Sequence, residues 1–167
     1  MWNDRFLDLF DRCVKRYRAG DVDYNGYYNA SDAELLHEIG YQPREFFDFV
    51  EDYCEEGAPS ISTALLVAAV RRDYFLVEMA GKPGERRITA SDLPTFGDEL
   101  DGVAYLPRIL AKARAKLRGE LDPDVMFGCG GDRHFLARHG DIHPADFLRQ
   151  VWAAREDDAR VLAWIRA

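Results

Sequence analysis

An apolar stripe at helical spacing occurs twice in this chain, about a hundred positions apart. Phe6, Leu9, Phe10, Cys13 and Tyr17 form the first stripe, and Leu106, Ile109, Leu110, Ala113 and Leu117 the second. At about 100° per residue each set falls within roughly a third of the helical circle, the pattern of a helix buried along one face. An irregular stretch follows each stripe, then an Asp (Asp32, Asp132), a Leu four residues on (Leu36, Leu136) and a Gly four beyond that (Gly40, Gly140). With one residue inserted, Pro43, Phe46 and Val50 fall on Pro144, Phe147 and Val151. This period predicts a mainly α fold of two pseudo-repeated helical units, residues 1–91 and 92–167, packed as one compact body with any site at their junction.

Local signals place the helices. The first is expected from Asn3 or Asp4 to Arg18, where Ala19-Gly20 stops it, and its counterpart from near Tyr105 to Arg118-Gly119. Short second helices are expected to start on caps at Ser31 or Asp32 and at Asp132, and to close at Gly40 and Gly140. Pro43 and Pro144 suit the first position of third helices, with Glu45 and Asp146 favourable beside the positive helix end. A further apolar helix is expected over about 60–72, and a last one through Val161, Leu162, Trp164 and Ile165. Residues 74–79 either extend the preceding helix or form a strand that pairs back near Arg86–Thr89 as a small hairpin. Residues 92–102 read as a linker.

Charge narrows the partners. The chain carries −8 overall, and residues 1–60 alone hold fourteen acids and six bases. A general nucleic-acid binder needs a basic face, so that class is set aside. No apolar run approaches the roughly twenty residues that cross a bilayer, and the first residues lack a secretory pattern, so a cytoplasmic protein is expected. Three cysteines without close pairing fit reduced thiols.

The segment Phe127-Gly128-Cys129-Gly130-Gly131-Asp132 is the first candidate for chemistry. It puts a thiol just before a helix, whose N-terminus stabilises anions and can activate a thiolate as a nucleophile. Against that, an Asp132 cap would oppose negative charge, and a tight turn with Cys129 as a small filler explains the same residues. His134 or His139 would serve as a base; the first copy has Asn29 where Cys129 stands. His134, His139 and His143 lack zinc-type spacing, and surface or cap roles suit them. Arg108, Lys112, Arg114, Lys116 and Arg118 form a basic stripe that binds an anion, docks the acidic first copy, or is a solvated face. Tyr24 and Tyr28 offer contact area for a ligand or a protein partner, or cover the core edge. Cys13 is on the buried stripe, and acids beside Cys54 discourage its reactivity. No Walker loop, dinucleotide fingerprint, nucleophile elbow or His-Glu-x-x-His is present, and no cofactor or metal is called for.

From Asp92-Leu93-Pro94, through Leu106-Pro107-Arg108 and Lys112-Ala113-Arg114-Ala115-Lys116, to Cys129, Asp132, Phe135-Leu136 and the closing Leu162-Ala163-Trp164-Ile165, the chain resembles a bacterial domain-of-unknown-function family, number 5069. The likeness spans about residues 92–167 and reaches residues 5–50 only through the repeat. It implies a mainly helical, soluble bacterial protein and marks Arg108, Lys112, Cys129 and Asp132 as motif positions without giving them a role. Two functions are expected. One is a binding module that holds a small anionic ligand or a peptide between the repeats, using Arg108, Lys112, Lys116, Asp132, Tyr24 and Tyr28. The other is a thiol-dependent enzyme or redox protein with Cys129 as its reactive sulfur and His134 as its base.

Overall fold

The computed structural model describes residues 1–167, almost all of the regular secondary structure being helical, and divides into two units, Met1–Pro83 and Gly84–Ala167. That division lies eight residues before the expected 91/92 boundary, because Ile88 forms a bridge with Leu121 and so ties residues 84–91 to the second unit. No helix is long and apolar enough to cross a membrane.

The N-terminal unit contains α1 (Trp2–Arg18), a 3₁₀ turn at Tyr24–Gly26, α2 (Ala30–Glu38), α3 (Pro43–Glu56) and α4 (Ile61–Val77). The apolar face of α1 packs against α3, where the Phe46 ring lies 5.0 Å from Phe6 and 5.7 Å from Phe10, both edge-on. Pro43 occupies the first turn of α3, and the Glu45 carboxylate accepts the Gln42 N–H at 2.8 Å. That is the arrangement a proline start and an acid at the third position favour. Ser60 caps α4 through its hydroxyl, which accepts the Thr63 N–H at 3.1 Å.

The Gly84–Ala167 unit contains a 3₁₀ turn at Ala90–Asp92, a two-stranded ribbon of β1 (Glu99–Leu100) and β2 (Val103–Ala104), and helices α5 (Leu106–Arg118), α6 (Gly130–Arg138), α7 (Pro144–Ala154) and α8 (Asp158–Arg166). Helix α5 packs on α7, and α7 on α8. Phe127, Phe135, Leu136, Phe147 and Leu148 are buried with Leu106, Ile109 and Leu110 in this core. Each unit thus runs from a long helix through an irregular stretch to a short helix and then a proline-started one. The inserted residue lies after the short helix: Tyr41 N–H reaches back to Leu36 O, whereas Ile142 N–H reaches Leu136 O, with Asp141 as the extra residue at φ 54°.

Two local expectations are corrected. The small antiparallel hairpin is at residues 99–104, not near 74–89. Residues 74–77 complete α4, because Phe75 continues the buried face of Ala64, Val67, Ala68 and Arg71 at helical spacing. The hairpin itself turns on Asp101-Gly102, both at positive φ (49° and 81°), inside the segment that reads as a linker. An Asp-Gly pair is a strong two-residue hairpin signal. The second correction concerns the short helices. Asn29 and Cys129 take the caps, and Asp32 and Asp132 sit three residues in.

Candidate functional site

A buried carboxylate organises the second unit's site. Asp132, with no exposed surface, accepts three hydrogen bonds: from Lys112 Nζ at 2.7 Å, from the Tyr105 hydroxyl at 2.6 Å and from Gly128 N–H at 2.9 Å. Lys112 projects from α5, is 3% exposed, and points its ammonium at two groups, Asp132 and the Cys129 sulfur at 3.3 Å. Cys129, half-buried at the start of α6, is therefore within hydrogen-bond distance of a cation shielded from water. No side chain caps the first turn of α6, so the sulfur also stands at a helix end of positive potential.

Tyr105 completes the cluster at some conformational cost. Its backbone is left-handed (φ 74°) at the cap of α5, a strain on the order of 1–3 kcal/mol for a residue of this size. The Asp132 bond offsets it, as do ring contacts with Phe135 at 5.6 Å and Phe96 at 6.0 Å. Burial, then the Asp132 charge and hydrogen bond, push the phenol above its ordinary range, so it stays protonated and donates.

The first unit holds the corresponding pair without the thiol. Arg12 grips Asp32 with two nitrogens at 2.6 and 3.1 Å. Asn29, standing where the second unit has Cys129, exchanges bonds with Asp32: its side chain accepts Asp32 N–H at 2.9 Å and its own N–H reaches Asp32 Oδ2 at 3.0 Å. Burial alone would raise the Asp32 carboxyl, but the Arg12 bond and Asn29 N–H outweigh it and hold the group below its ordinary value. A cleft of about 270 Å³ beside this pair is lined by Arg12, Cys13, Lys15, Arg16 and Tyr27. Its cations are engaged: Arg12 with Asp32, Lys15 with Asp11 at 2.6 Å and Arg16 with Asp21 at 2.6 Å.

The remaining candidates separate. Lys116 is buried at 2% and is no solvated charge. Arg108 donates to Pro94 O at 2.9 Å and lies 4.2 Å over the exposed Phe96 ring. Arg114 is bonded to Arg155 O and Asp158, and Arg118 to Glu120 at 2.9 Å. The stripe is thus largely occupied inside its own unit, because α5 buries a wider face than its five apolar residues mark out. Tyr24 and Tyr28 belong to the N-terminal unit, where Tyr24 packs 5.0 Å from Phe47 and Tyr28 donates to Pro43 O at 2.7 Å. His134 is exposed and shares no hydrogen bond with Cys129. His139 lies 4.4 Å from the Phe135 ring, and His143 caps α7 by accepting Ala145 N–H at 3.1 Å. No three His, Cys, Asp or Glu side chains gather closely enough to hold a metal.

Tyr105 and Phe96 are members of the site that sequence patterns do not single out. The Tyr105 bond to Asp132 bridges 27 residues, and no local pattern announces it. One signal was available: a base and an acid stand twenty apart in each unit, Arg12 with Asp32 and Lys112 with Asp132.

The two other thiols differ in kind. Burial pushes the Cys13 thiol from its ordinary 9.0 up to about 12, and burial with the nearby Asp21 pushes Tyr27 from 10.0 to about 12. Cys54 is also raised, by burial above all, with Arg18 opposing and Glu55 adding a smaller push, whereas the sequence pointed to its acidic neighbours alone. Cys13 and Tyr27 each keep a proton that the unfolded chain has already released. Their contribution to stability is therefore complete below about pH 9 and is lost as pH rises toward about 12. Urea unfolding midpoints compared at about pH 8 and about pH 11 should fall at the higher pH, and a Cys13→Ala chain should lose less. Equal losses in both chains would show that Cys13 has no part in the alkaline transition.

Comparison with known families falls on the same stretch. Residues 95–167 match the family model Domain of unknown function (DUF5069). The match begins three residues inside the span read from the sequence and takes in Phe96, Tyr105, Arg108, Lys112, Cys129 and Asp132. No curated protein and no solved structure matches the chain.

Proposed function

We propose that this DUF5069-like unit performs thiol-dependent chemistry at Cys129, with Lys112 as the cation that steadies the sulfur's negative charge. The observation that carries this is the 3.3 Å approach of a 3% exposed ammonium to a half-buried thiol. A lysine beside a cysteine at a helix start is a setting in which thiolates are stabilised and reactive. Asp132 and Tyr105 position that lysine, and His134 is not needed beside the sulfur. On this reading both units descend from one ancestral unit, and Asn29 marks the half without sulfur chemistry. A reduced, bacterial cytoplasmic setting suits an unpaired reactive thiol.

Alkylation of the native protein with iodoacetamide at neutral pH tests it. Cys129 should be modified an order of magnitude faster than Cys54, and Lys112→Gln should remove most of that advantage. If native Cys129 resists the reagent while the unfolded chain accepts it, the proposal fails.

A binding role keeps one specific observation in its favour. Arg108 has no carboxylate partner, and it stacks on Phe96, whose ring is 69% exposed. A flat anionic group would meet the guanidinium at the edge of this stack, beside Tyr105. Thermal shift with aromatic carboxylates, compared between the native chain and Phe96→Ala, separates this role from the thiol chemistry.

A further inference from the structure

We infer that Cys129 and Lys112 are a redox-linked pair: a hydroperoxide oxidises the sulfur, and the lysine nitrogen then closes a sulfur–nitrogen bond to it. This rests on the reactive thiol proposed above and adds the fate of the oxidised sulfur. Oxidised cysteines commonly meet a second thiol. Here Cys13 and Cys54 both belong to the N-terminal unit, and Cys129 is the one thiol of its own unit. The nearest bonded partner of its sulfur is an amine, at 3.3 Å.

The chemistry balances with one equivalent of oxidant. In the first step the Cys129 sulfur attacks a peroxide oxygen, the O–O bond breaks, and the sulfur loses two electrons to become a sulfenic acid while water or an alcohol departs. In the second step Lys112 passes one ammonium proton to Asp132 Oδ2, which already accepts from it at 2.7 Å. The freed nitrogen lone pair attacks sulfur, the S–O bond breaks, and the hydroxyl leaves as water with the second proton from nitrogen. The products are a sulfenamide and a neutral carboxylic acid, and no further oxidant is consumed.

Burial favours this outcome. Lys112 at 3% and Asp132 at 0% exposure form an ion pair held out of water, and the linked state replaces both charges with neutral groups. Cys129 is only half-buried, which gives a peroxide access to the residue, while the amine 3.3 Å from its sulfur belongs to a lysine held out of water. Neutral Asp132 would still accept the Tyr105 hydroxyl through Oδ1, so the cluster keeps its geometry. One small thiol breaks the S–N bond to give a mixed disulfide and the free amine, which takes back the Asp132 proton; a second thiol then releases Cys129 as its own disulfide departs.

The test uses the full chain carrying Cys54→Ser, because an internal disulfide also removes two hydrogens. After one equivalent of hydrogen peroxide, the intact mass should fall by two hydrogen atoms. Peptide mapping should join the Lys112 and Cys129 segments, and dithiothreitol should release them. Cys129→Ser should show no such loss. If dimedone traps Cys129 as a sulfenic acid and Lys112 stays free, the linkage is overturned while the reactive thiol stands. If Cys129 is not oxidised where a free cysteine peptide is, both fall together.

Discussion

Lys112→Met is expected to lower stability by about 3–5 kcal/mol, the usual cost of removing one partner from a buried ion pair. The loss arises from the stranded carboxylate. Asp132 has no exposed surface, and without the ammonium its charge keeps only the Tyr105 hydroxyl and Gly128 N–H. A methionine fills the channel of the lysine stem but gives the carboxylate nothing. Changing both partners, Lys112→Met with Asp132→Leu, should recover only part of the loss, because no unpaired charge remains but the Tyr105 hydroxyl and Gly128 N–H lose their acceptor. Arg12→Met in the N-terminal unit should cost about 1 kcal/mol, since the Arg12 side chain is 49% exposed and water can replace part of what it gives Asp32. Chemical denaturation of the four chains measures this. Equal losses from Lys112→Met and Arg12→Met would mean that burial does not govern the strength of these pairs.

Gly40→Ala is expected to destabilise by about 2–4 kcal/mol, and Gly140→Ala by only about 1 kcal/mol. Both glycines close a short helix at positive φ, 74° and 97°, so both substitutions carry a backbone penalty. Only Gly40 has a close neighbour: a Cβ there would stand 2.6 Å from Phe75 Cγ and 3.0 Å from Phe75 Cβ. Phe75 is 3% exposed and Arg71 lies over its ring at 5.8 Å, so the phenyl group has nowhere to retreat. At Gly140 nothing lies within 4 Å. The extra term at Gly40 is thus overpacking against the Phe75 Cγ and Cδ2 atoms, so Gly40→Ala combined with Phe75→Ala, which removes both, should show strong non-additivity. Thermal unfolding of each chain resolves the difference. Equal penalties at the two glycines would show that Phe75 yields freely.

The helices were legible where the signals were local. Apolar residues three and four apart set α1 and α5, glycines ended them, and prolines began α3 and α7 within a residue of expectation. The end of α4 was not legible, because Tyr74–Met79 is as apolar as a strand and only the burial of Phe75 against Gly40 decides for helix. The caps of the short helices lie two or three residues before their expected place at Ser31 or Asp32, and three before Asp132, for a related reason. Asp is a good cap in isolation, but here both aspartates are drawn inward by a cation on another helix, leaving Asn29 and Cys129 to start the turn.

Composition and spacing alone therefore determined a mainly helical chain with matching helix starts and stops in its two halves, and singled out the Cys129 loop as unusual. The tertiary structure decided that Lys112, and not a histidine, is the cation at that sulfur, that Tyr105 holds the intervening carboxylate, and that most of the basic stripe is engaged within its own unit. The reason is range. Helix periodicity and capping act over three or four residues and leave their mark in adjacent positions. Lys112, Cys129 and Asp132 are separated by as many as twenty residues, and only the packing of α5 beside α6 gives their charges a common address.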